Sequence, residues 1–527
     1  MKDAGRAVQE ALSQRERVWG REKLEIDLPE QAGVLRRRWY HESALPLTVQ
    51  AAPFRVAGVR ATLGLFPYVT ELRVSYRDQI QDALKGHGAD YCEVRIEETS
   101  STRLVYRGTG LEDVVQNSGR GGNVRACVNG GWGFVSFNNL DDLRVRVRQA
   151  VLQARAVGGD GTKIAHVEPG VSIVPPHVVR DPRLVSLAEK KKRMDHYNGL
   201  VFSVKGIQSV SSVYGDSSRR VSFGNSQGTY IEQEHVHVIC RISAQAREGG
   251  DVQEGSFSIG TLGDYGLMDG LDDEVTRTAR RAVELLSAKP VNGGERTVIL
   301  DPVLAGVFVH EAFGHLSEGD NVAEDEKLQE IMVMGREFGG KHLNIVDGAA
   351  IPGLRGSFAF DDEGTPATRT DLVREGRLVG RLHSRETAAM LGEKPTGNAR
   401  AIGYNFPPIV RMTNTVIENG NATFADLLEG VDDGVYVKNW YGGMTQHEMF
   451  TFSSGEAYSV RNGKVEEAVR PVMLSGNLFT TLQNIDAIGN DLGMNQGGGC
   501  GKNGQSPLPV SNGSPHIRIR KCLISGA

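Results

Sequence analysis

The chain has 527 residues, of which 39% are hydrophobic and 24% are charged, and its formal net charge is -5. This length predicts two or three domains, and the composition is typical of a soluble globular protein. The charge gives no basic surface for nucleic acid, and the chain shows neither an apolar run of about 18 residues for a membrane span nor the apolar core of a signal peptide. Five cysteines without regular spacing argue against a disulfide framework and favour a reducing, cytoplasmic compartment.

Residues 1–68 differ in composition from the rest of the chain. They contain Arg36-Arg37-Arg38, scattered Trp and Pro, and no sustained periodicity beyond a weak helical pattern near residues 3–18. Two interpretations stay open, a basic arm that binds an acidic partner and a poorly ordered, loosely attached extension. We favour the extension.

Residues 69–290 predict an N-terminal α+β domain, a small layer of strands with helices packed on it. Lys289 to Gly294 is a turn-rich segment that marks its end. The first part of this domain is predicted to contain a helix at 74–86, strands at 89–98 and 100–107, a turn at 117–122, a meander over 124–137 and a helix at 140–156 with Asp141 and Asp142 in its first turn. A Pro-rich connector is predicted at 166–181. The second part is predicted to contain a helix at 187–198, three strands within 207–248 with a hairpin turn at 223–228, and a helix at 272–286.

Residues 291–527 predict a β-rich C-terminal domain that carries a metal-binding helix. After a strand at 297–300, an apolar helix begins near Pro302. An acidic, mobile segment is expected at 320–330. Beyond residue 343 the pattern is mostly strand and turn, with short helices at 387–391 and 424–428.

The apolar helix ends in the motif H-E-x-x-x-H, formed by His310, Glu311 and His315. Two imidazoles bind zinc well, and a Glu beside the first is placed to act as a general base. The spacing is one residue longer than in common zinc proteases, so the two rings would lie about 140° apart on an ideal helix. A bulge with i→i+5 bonding, eased by Gly314, would bring them together. The motif therefore predicts a helix that is overwound or bent at its metal end.

A metal site needs a third ligand, and the sequence offers two candidates. Glu318 lies three residues after His315, on the same helical face, and Cys500 lies in the Gly-rich segment 496–505. Without a third ligand, the motif is equally compatible with a buried helix whose histidines bind no metal.

Two further clusters contain possible metal ligands. His235 and His237 lie on one face of a predicted strand, where we expect them to be exposed to solvent rather than bound to metal. Asp361, Asp362 and Glu363 form an acidic cluster that either binds a second cation or has a supporting role, capping a loop or orienting metal ligands from behind. We expect the supporting role. The other four cysteines are expected to pack as small hydrophobic residues.

Several blocks of the sequence together resemble the TldD/PmbA family of metalloproteases. The resemblance runs from about residue 74 to the C-terminus and leaves out residues 1–68. The blocks are residues 310–320, 360–366, 372–378, 384–388 and 497–505.

The resemblance implies a particular site and assembly. It implies zinc held by His310, His315 and Cys500, with Glu311 as the general base and Glu318 behind His315, orienting its ring. It also implies a cytoplasmic dimer that encloses the sites, either a homodimer or a heterodimer with a motif-less TldE/PmbA-like subunit. The implied substrates are unfolded or extended peptides, in leader-peptide removal or in degradation.

The predicted function is therefore that of a zinc-dependent metallopeptidase, EC class 3.4, whose substrate binds as an added β-strand. One alternative is a non-catalytic peptide-binding subunit with a structural metal. Another is a hydrolase of non-peptide amides, which would use the same chemistry. Glu311 distinguishes the first alternative, because a structural site does not need a carboxylate beside its first ligand.

Overall fold

The computed structural model describes residues 54–56, 59–61, 75–159, 161, 163–446 and 448–526. Most of the extension 1–68 lies outside these residues, including the predicted helix near residue 3 and the three consecutive arginines. Within the extension, Phe54–Val56 (β1) and Val59–Ala61 (β2) form an antiparallel hairpin. The chain from Ser75 onward is a separate compact unit.

This second unit mixes helices and strands, which confirms the predicted α+β class with a β-rich C-terminal region. Its helices are Arg77–Ala83 (α1), Leu143–Val157 (α2), Leu187–Ser203 (α3), Asp272–Ser287 (α4), Pro302–Val309 (α5), Gly319–Glu324 (α6), Glu326–Ile331 (α7), Arg385–Leu391 (α8), Phe424–Leu428 (α9) and Leu478–Gln483 (α10). Its strands are Tyr91–Arg107 (β3), Gly110–Val128 (β4), Gly131–Phe137 (β5), Val171–Val174 (β6), Ile207–Asn225 (β7), Tyr230–Glu248 (β8), Asp251–Leu262 (β9), Gly294–Leu300 (β10), Ile345–Gly348 (β11), Arg369–Arg374 (β12), Arg377–Leu378 (β13), Ala399–Arg400 (β14), Ile409–Val410 (β15), Asn414–Ile417 (β16), Asp433–Gln446 (β17), Met449–Arg461 (β18), Lys464–Val469 (β19), Val472–Asn477 (β20), Ile485–Ile488 (β21), Gly493–Asn495 (β22), Gly499–Lys502 (β23), Gln505–Pro509 (β24), Ser511–Ser514 (β25) and Ile517–Gly526 (β26).

The N-terminal half is built on a seven-stranded sheet of long strands. Its order is β5-β4-β3-β7-β8-β6, with β9 also paired to β8. The four helices predicted here are confirmed as α1 to α4, and the predicted hairpin turn lies between β7 and β8. Asp141 and Asp142 precede α2 instead of lying in its first turn.

Three strand predictions in this half are wrong because the strands are longer than expected. β3 is continuous over 17 residues, residues 207–248 form two strands instead of three, and 117–122 lies inside β4 instead of in a turn. Gly121 allows the ring of Tyr404 to pack closely on the backbone of β4, since a Cβ at this position would overlap that ring.

Strand β3 shows how the sheet is buried on both faces. Val94 and Ile96 pack under α1 and α2, and Leu104 and Tyr106 pack under α3 and α4. Because side chains alternate along a strand, the intervening residues face the other way, toward the C-terminal half.

That other face carries charges and is also buried. Glu93, Arg95 and Glu97 are each only 1% exposed. The Arg95 guanidinium donates to the backbone carbonyl of Gly403 (3.1 Å), in the C-terminal half of the chain. The expectation of a half-buried strand is therefore wrong, and a layer of paired charges joins the two halves.

The C-terminal half positions α5 between two sheets. In the first sheet, β10 pairs with both β17 and β26, so β10, β17, β18, β20 and β26 close into a ring. The second sheet has the order β13-β12-β11-β16-β25-β22. Helix α5 contacts β17 of the first sheet and β22 and β25 of the second. The strand predicted at 297–300 and the helix start near Pro302 are both confirmed. The expected acidic segment contains α6 and α7.

Candidate metal centre

Helix α5 is held firmly at its N-terminus. The Asp301 side chain accepts a hydrogen bond from the Leu304 backbone N–H (2.9 Å), and Pro302 takes the first helical position, where its missing N–H costs nothing. The six residues from Leu304 to Val309 are buried, as expected for a helix that is apolar on every side. The motif therefore follows a helix that lies within the hydrophobic core.

The two motif histidines are brought together by a π-helical turn. His310–Gly314 is π-helical, and the backbone N–H of His315 donates to the carbonyl of His310, which is an i→i+5 hydrogen bond. The imidazole ring centroids lie 5.4 Å apart. The predicted i→i+5 bulge is confirmed. Of the two predicted distortions, overwound or bent, overwinding is wrong, because a π turn holds more residues per turn than an α-helix and the helix is therefore widened here.

Cys500 completes the cluster. It lies on β23, which forms a hairpin with β24, and its Sγ is 3.4 Å from the Nε2 of His315. One ligand atom from each of His310, His315 and Cys500 lies within 4.8 Å of the others, and no other group of three such residues occurs in the described parts of the chain. The sequence therefore predicted residues that the fold does bring together.

The chemistry of this cluster fits a zinc ion. One sulfur at about 2.3 Å and one nitrogen at about 2.0 Å from a tetrahedral zinc lie about 3.5 Å apart, close to the spacing seen here. Burial raises the pKa of the Cys500 thiol, but His310 and His315 outweigh burial and lower this pKa to about 4. The sulfur is therefore a thiolate, the form that binds metal.

Glu318 fixes the ring of His315 from behind. Its Oε2 is 3.0 Å from the Nδ1 of His315, so Nδ1 carries a proton and Nε2 is the nitrogen directed at Cys500. Asn321 donates to the backbone carbonyl of His315 (2.9 Å). By contrast, the buried Nδ1 of His310 has no hydrogen-bond partner among the described residues.

Lys502 was not singled out in the sequence and is part of the same arrangement. Its Nζ lies 3.0 Å from Glu318 and 2.6 Å from Asp320. Burial raises the pKa of Glu318, yet the cations His315 and Lys502 lower it to about 2, so the carboxylate stays charged. The position of Lys502, two residues after Cys500 on the same strand, was the available signal, because alternate residues share a face.

Glu311 lies beside the cluster on its open side. Its Oε2 is 3.9 Å from the Nε2 of His315, and its side chain is 26% exposed. Glu311 therefore reaches both the proposed ligands and solvent.

The acidic cluster at 361–363 caps backbone, as expected. Asp361 accepts hydrogen bonds from the N–H groups of Glu363, Thr365 and Ala399, at 2.8 to 3.0 Å. Asp362 accepts from the N–H of Ala401 (2.8 Å). These carboxylates thus organise loops beside the site.

The prediction for His235 and His237 is met only in part. Both residues are half-buried and line a partly open cavity, because the C-terminal half of the chain packs against the face of β8 on which they lie, and neither belongs to a group of metal ligands among the described residues. The four cysteines outside the cluster are buried and unpaired, as predicted.

Comparison with known proteins identifies the family of this chain. Three domain profiles match in chain order: PmbA/TldA metallopeptidase domain 1 at residues 92–156, the central domain at 180–289 and the C-terminal domain at 293–526. The chain belongs to the TldD/PmbA family. All the proposed ligands of this TldD/PmbA protein lie in the part matched to the C-terminal domain.

Relatives of this TldD/PmbA chain carry names that indicate a metalloprotease. A metalloprotease of Synechocystis sp. is 47% identical over 440 residues, which cover 83% of this chain and 95% of that protein. A zinc metalloprotease TldD homolog of Saccharolobus solfataricus is 34% identical over 324 residues, 61% of this chain and 72% of that protein.

The fold of the family is also seen in a solved structure. TldE from Thermococcus kodakarensis matches with a TM-score of 0.67 at 17% identity, over 85% of this chain and 99% of that one. In the parts of the chain described, no helix combines the length and the apolar character needed to cross a bilayer.

Proposed function

We propose that this chain is a zinc-dependent peptidase, with His310, His315 and Cys500 as ligands and Glu311 as the general base. The observation that supports this most strongly is the convergence of two imidazoles, a thiolate and a partly exposed carboxylate at one point of the fold. The names of the relatives point to the same reaction class.

Each side chain has a distinct part in this proposal. When bound, zinc would supply Lewis acidity, which makes a water molecule more acidic and polarises a peptide carbonyl. The Glu311 carboxylate takes a proton from water and returns it to the leaving amine. Glu318 holds a proton on the Nδ1 of His315, so that Nε2 is the nitrogen presented to zinc, and the buried apolar helix α5 keeps water away from the back of the site.

Cleavage of an unstructured protein such as casein tests the proposal. We expect Glu311→Gln to lower the rate by about 10² to 10⁴-fold, because general-base catalysis is lost while the ligands remain. Glu326→Gln, at an exposed position of α7, is the matched control and should cleave at the wild-type rate. Wild-type rates in Glu311→Gln with unchanged zinc content would refute the mechanism. Zinc-loaded wild type that binds casein but never cleaves it would favour the peptide-binding alternative.

We also propose that substrates bind as extended peptides. Within the described residues, β23 pairs only with β24, so its second edge is available for backbone hydrogen bonds. A peptide added there would pass beside Cys500. A structure with a bound peptide analogue that makes no strand pairing would contradict this.

A dimer completes the proposal, either of two identical chains or with a motif-less TldE/PmbA-like chain. The structural likeness to a TldE protein supports the second form. Sedimentation of the cleaving species should give twice the mass of one chain, and an active monomer would refute this. A cytoplasmic location, the leader-removal role and the domain boundary near residue 290 stay predictions.

A further inference from the structure

A cavity of about 260 Å³ lies between the N-terminal sheet and loops of the C-terminal half. His235 and His237 of β8 line one side, and Arg355 and Arg400 line the other. Hydroxyl groups of several serines and Thr99 also line the cavity, together with apolar side chains such as Phe358, Phe360 and Leu508. Hydrogen-bond donors thus lie beside apolar surface in this wall.

The cavity has more positive charge than its carboxylates neutralise. Arg219 is paired with Asp362 at 2.9 Å, and the oxygens of Asp361 are occupied by backbone N–H groups. Arg355 and Arg400 have no ion-pair partner within 4.0 Å in the described chain and donate to backbone carbonyls instead.

Burial also disfavours the positive charge of both arginines. Both are buried, with 9% and 7% exposure. Burial lowers the pKa of each to about 10. Arg241 adds to this effect at Arg355, and Arg411 adds to it at Arg400, where Asp362, Asp347 and Cys500 oppose it only in part. They remain charged at neutral pH. Bringing an anion into the cavity would compensate them.

Two polar atoms in this wall are left without partners. The Nε of Arg355 and the Nδ1 of His237 are buried and have no hydrogen-bond partner among the described residues. An unpaired buried polar group is costly, so the Nε–H of Arg355 favours a bound acceptor, and the Nδ1 of His237 does so in the tautomer that carries its proton there. Burial also lowers the pKa of both His235 and His237, so the rings are neutral and act as hydrogen-bonding groups and not as cations.

The cavity adjoins the candidate metal centre. Leu508 lines it and is the cross-strand partner of Cys500, so their side chains share a face of the β23–β24 hairpin. Arg355 donates to the carbonyl of Gly498 (2.5 Å), two residues before Cys500. Arg400 donates to the carbonyl of Met412 (2.6 Å), whose side chain packs against the π turn.

We propose that this cavity binds a carboxylate group of a peptide held at the candidate metal centre. The ligand is an anion and not a metal ion, because the unpaired groups are guanidinium and imidazole donors and no cluster of metal ligands occurs here among the described residues. This proposal rests on the proposed peptidase function for the origin of the carboxylate. The group is either the C-terminal carboxylate of the peptide or an acidic side chain.

Peptide binding to the uncleaving Glu311→Gln protein tests the proposal. A short, N-terminally labelled peptide is titrated as its free acid and as its amide, with fluorescence anisotropy as the readout. We expect the acid to bind about tenfold more tightly, because hydrogen bonds to a charged carboxylate are stronger than those to a neutral amide. A nonspecific electrostatic effect would favour the amide instead, because a protein with a formal net charge of -5 repels the negatively charged acid. A second pair of amidated peptides, with Glu or Gln inside, distinguishes a side chain from a chain end.

Variants of the cavity locate the effect. Arg400→Gln and His237→Phe should each reduce the preference for the carboxylate, whereas Arg400→Lys, which keeps the charge, should retain most of it. Equal affinity for acid and amide, and for the Glu and Gln peptides, would refute the proposal. So would a preference that survives both Arg400→Gln and His237→Phe in protein that is still folded.

A probe that does not depend on peptidase function separates the two proposals. If neither peptide binds, acetate is titrated against chloride at constant ionic strength and the Tm is measured. A rise in Tm that is absent in Arg400→Gln would support the anion site even if the peptidase proposal failed. No acetate-specific rise in the wild type would then refute the anion site.

Discussion

Glu318 is fully buried, and its charge depends on two neighbouring cations. Burial alone would raise its pKa, but His315 and Lys502 lower it to about 2. A charged Glu318 accepts the Nδ1–H of His315 and so sets which nitrogen of that ring faces Cys500. We therefore expect the metal affinity of the candidate centre to depend on a residue that is not itself a proposed ligand.

Glu318→Gln tests this dependence. We expect zinc affinity to fall by about 10 to 100-fold, the usual effect of removing a carboxylate behind a ligating histidine. Competition with a chelator of known affinity measures it. Asp320→Asn is the control, because Asp320 also contacts Lys502 yet no contact with His315 is seen. An equal loss in both variants would mean that Glu318 acts only through Lys502.

At this scale, local spacing and resemblance identified His310, Glu311, His315, Glu318 and Cys500. They could not identify Lys502 as the partner of Glu318 or Arg355 as the residue that holds the loop before Cys500. Those contacts join positions more than 140 residues apart. Alternation along β23 could place Lys502 on the same face as Cys500, but no local pattern specifies the distant residue that it contacts.

The π turn is the element on which the site depends. It places His315 beside His310, and Gly314 lies where a Cβ would overlap the sulfur of the buried Met412. Gly314 has ordinary helical dihedral angles, so it is needed here for space and not for its flexibility. The sequence argument chose the correct residue for a different reason.

Gly314→Ala should lower the free energy of unfolding by about 1–3 kcal/mol, the usual cost of overpacking a core. Denaturant unfolding of the single variants and of Gly314→Ala/Met412→Ala measures the coupling. We expect the double variant to be more stable than the two single effects added together, because the smaller residue 412 removes the overlap. Strict additivity would show that the alanine perturbs the turn in some other way.

Long strands explain the errors at the element scale. Glycines at 119, 121 and 122 suggested a turn, but at least two of them allow Tyr404 and Phe137 to pack directly on the backbone of β4. The same residue type signals a turn or a close approach, and only the distant neighbour decides between them. Helices were predicted well because their periodicity is local.

At the scale of the whole molecule, a buried layer of charges joins the N-terminal sheet to the C-terminal half. The Arg125 guanidinium lies 2.9 Å from both Glu93 and Glu363, one carboxylate from each half. It also stacks on Trp132, with 4.3 Å to the ring centroid. The alternation of β3 was recognised in the sequence, but its charged face was not recognised as an internal contact surface.

Arg125→Met should lower the free energy of unfolding by about 3–5 kcal/mol, because two carboxylates would stay buried without their cation. Arg103→Met, at an exposed position of the same sheet, is the control and should change stability by no more than about 0.5 kcal/mol. Denaturant unfolding measures both variants. A small effect of Arg125→Met would mean that the two carboxylates protonate or find other partners.

The most direct test of the central claim is the zinc content of the purified protein, wild type beside Cys500→Ala. We predict about one zinc per wild-type chain and a clear loss in Cys500→Ala, since three protein ligands are needed for such a site. Cys522→Ala, another buried cysteine outside the cluster, should keep its zinc. Equal zinc in all three proteins, or none in the wild type, would contradict a metal centre formed by His310, His315 and Cys500.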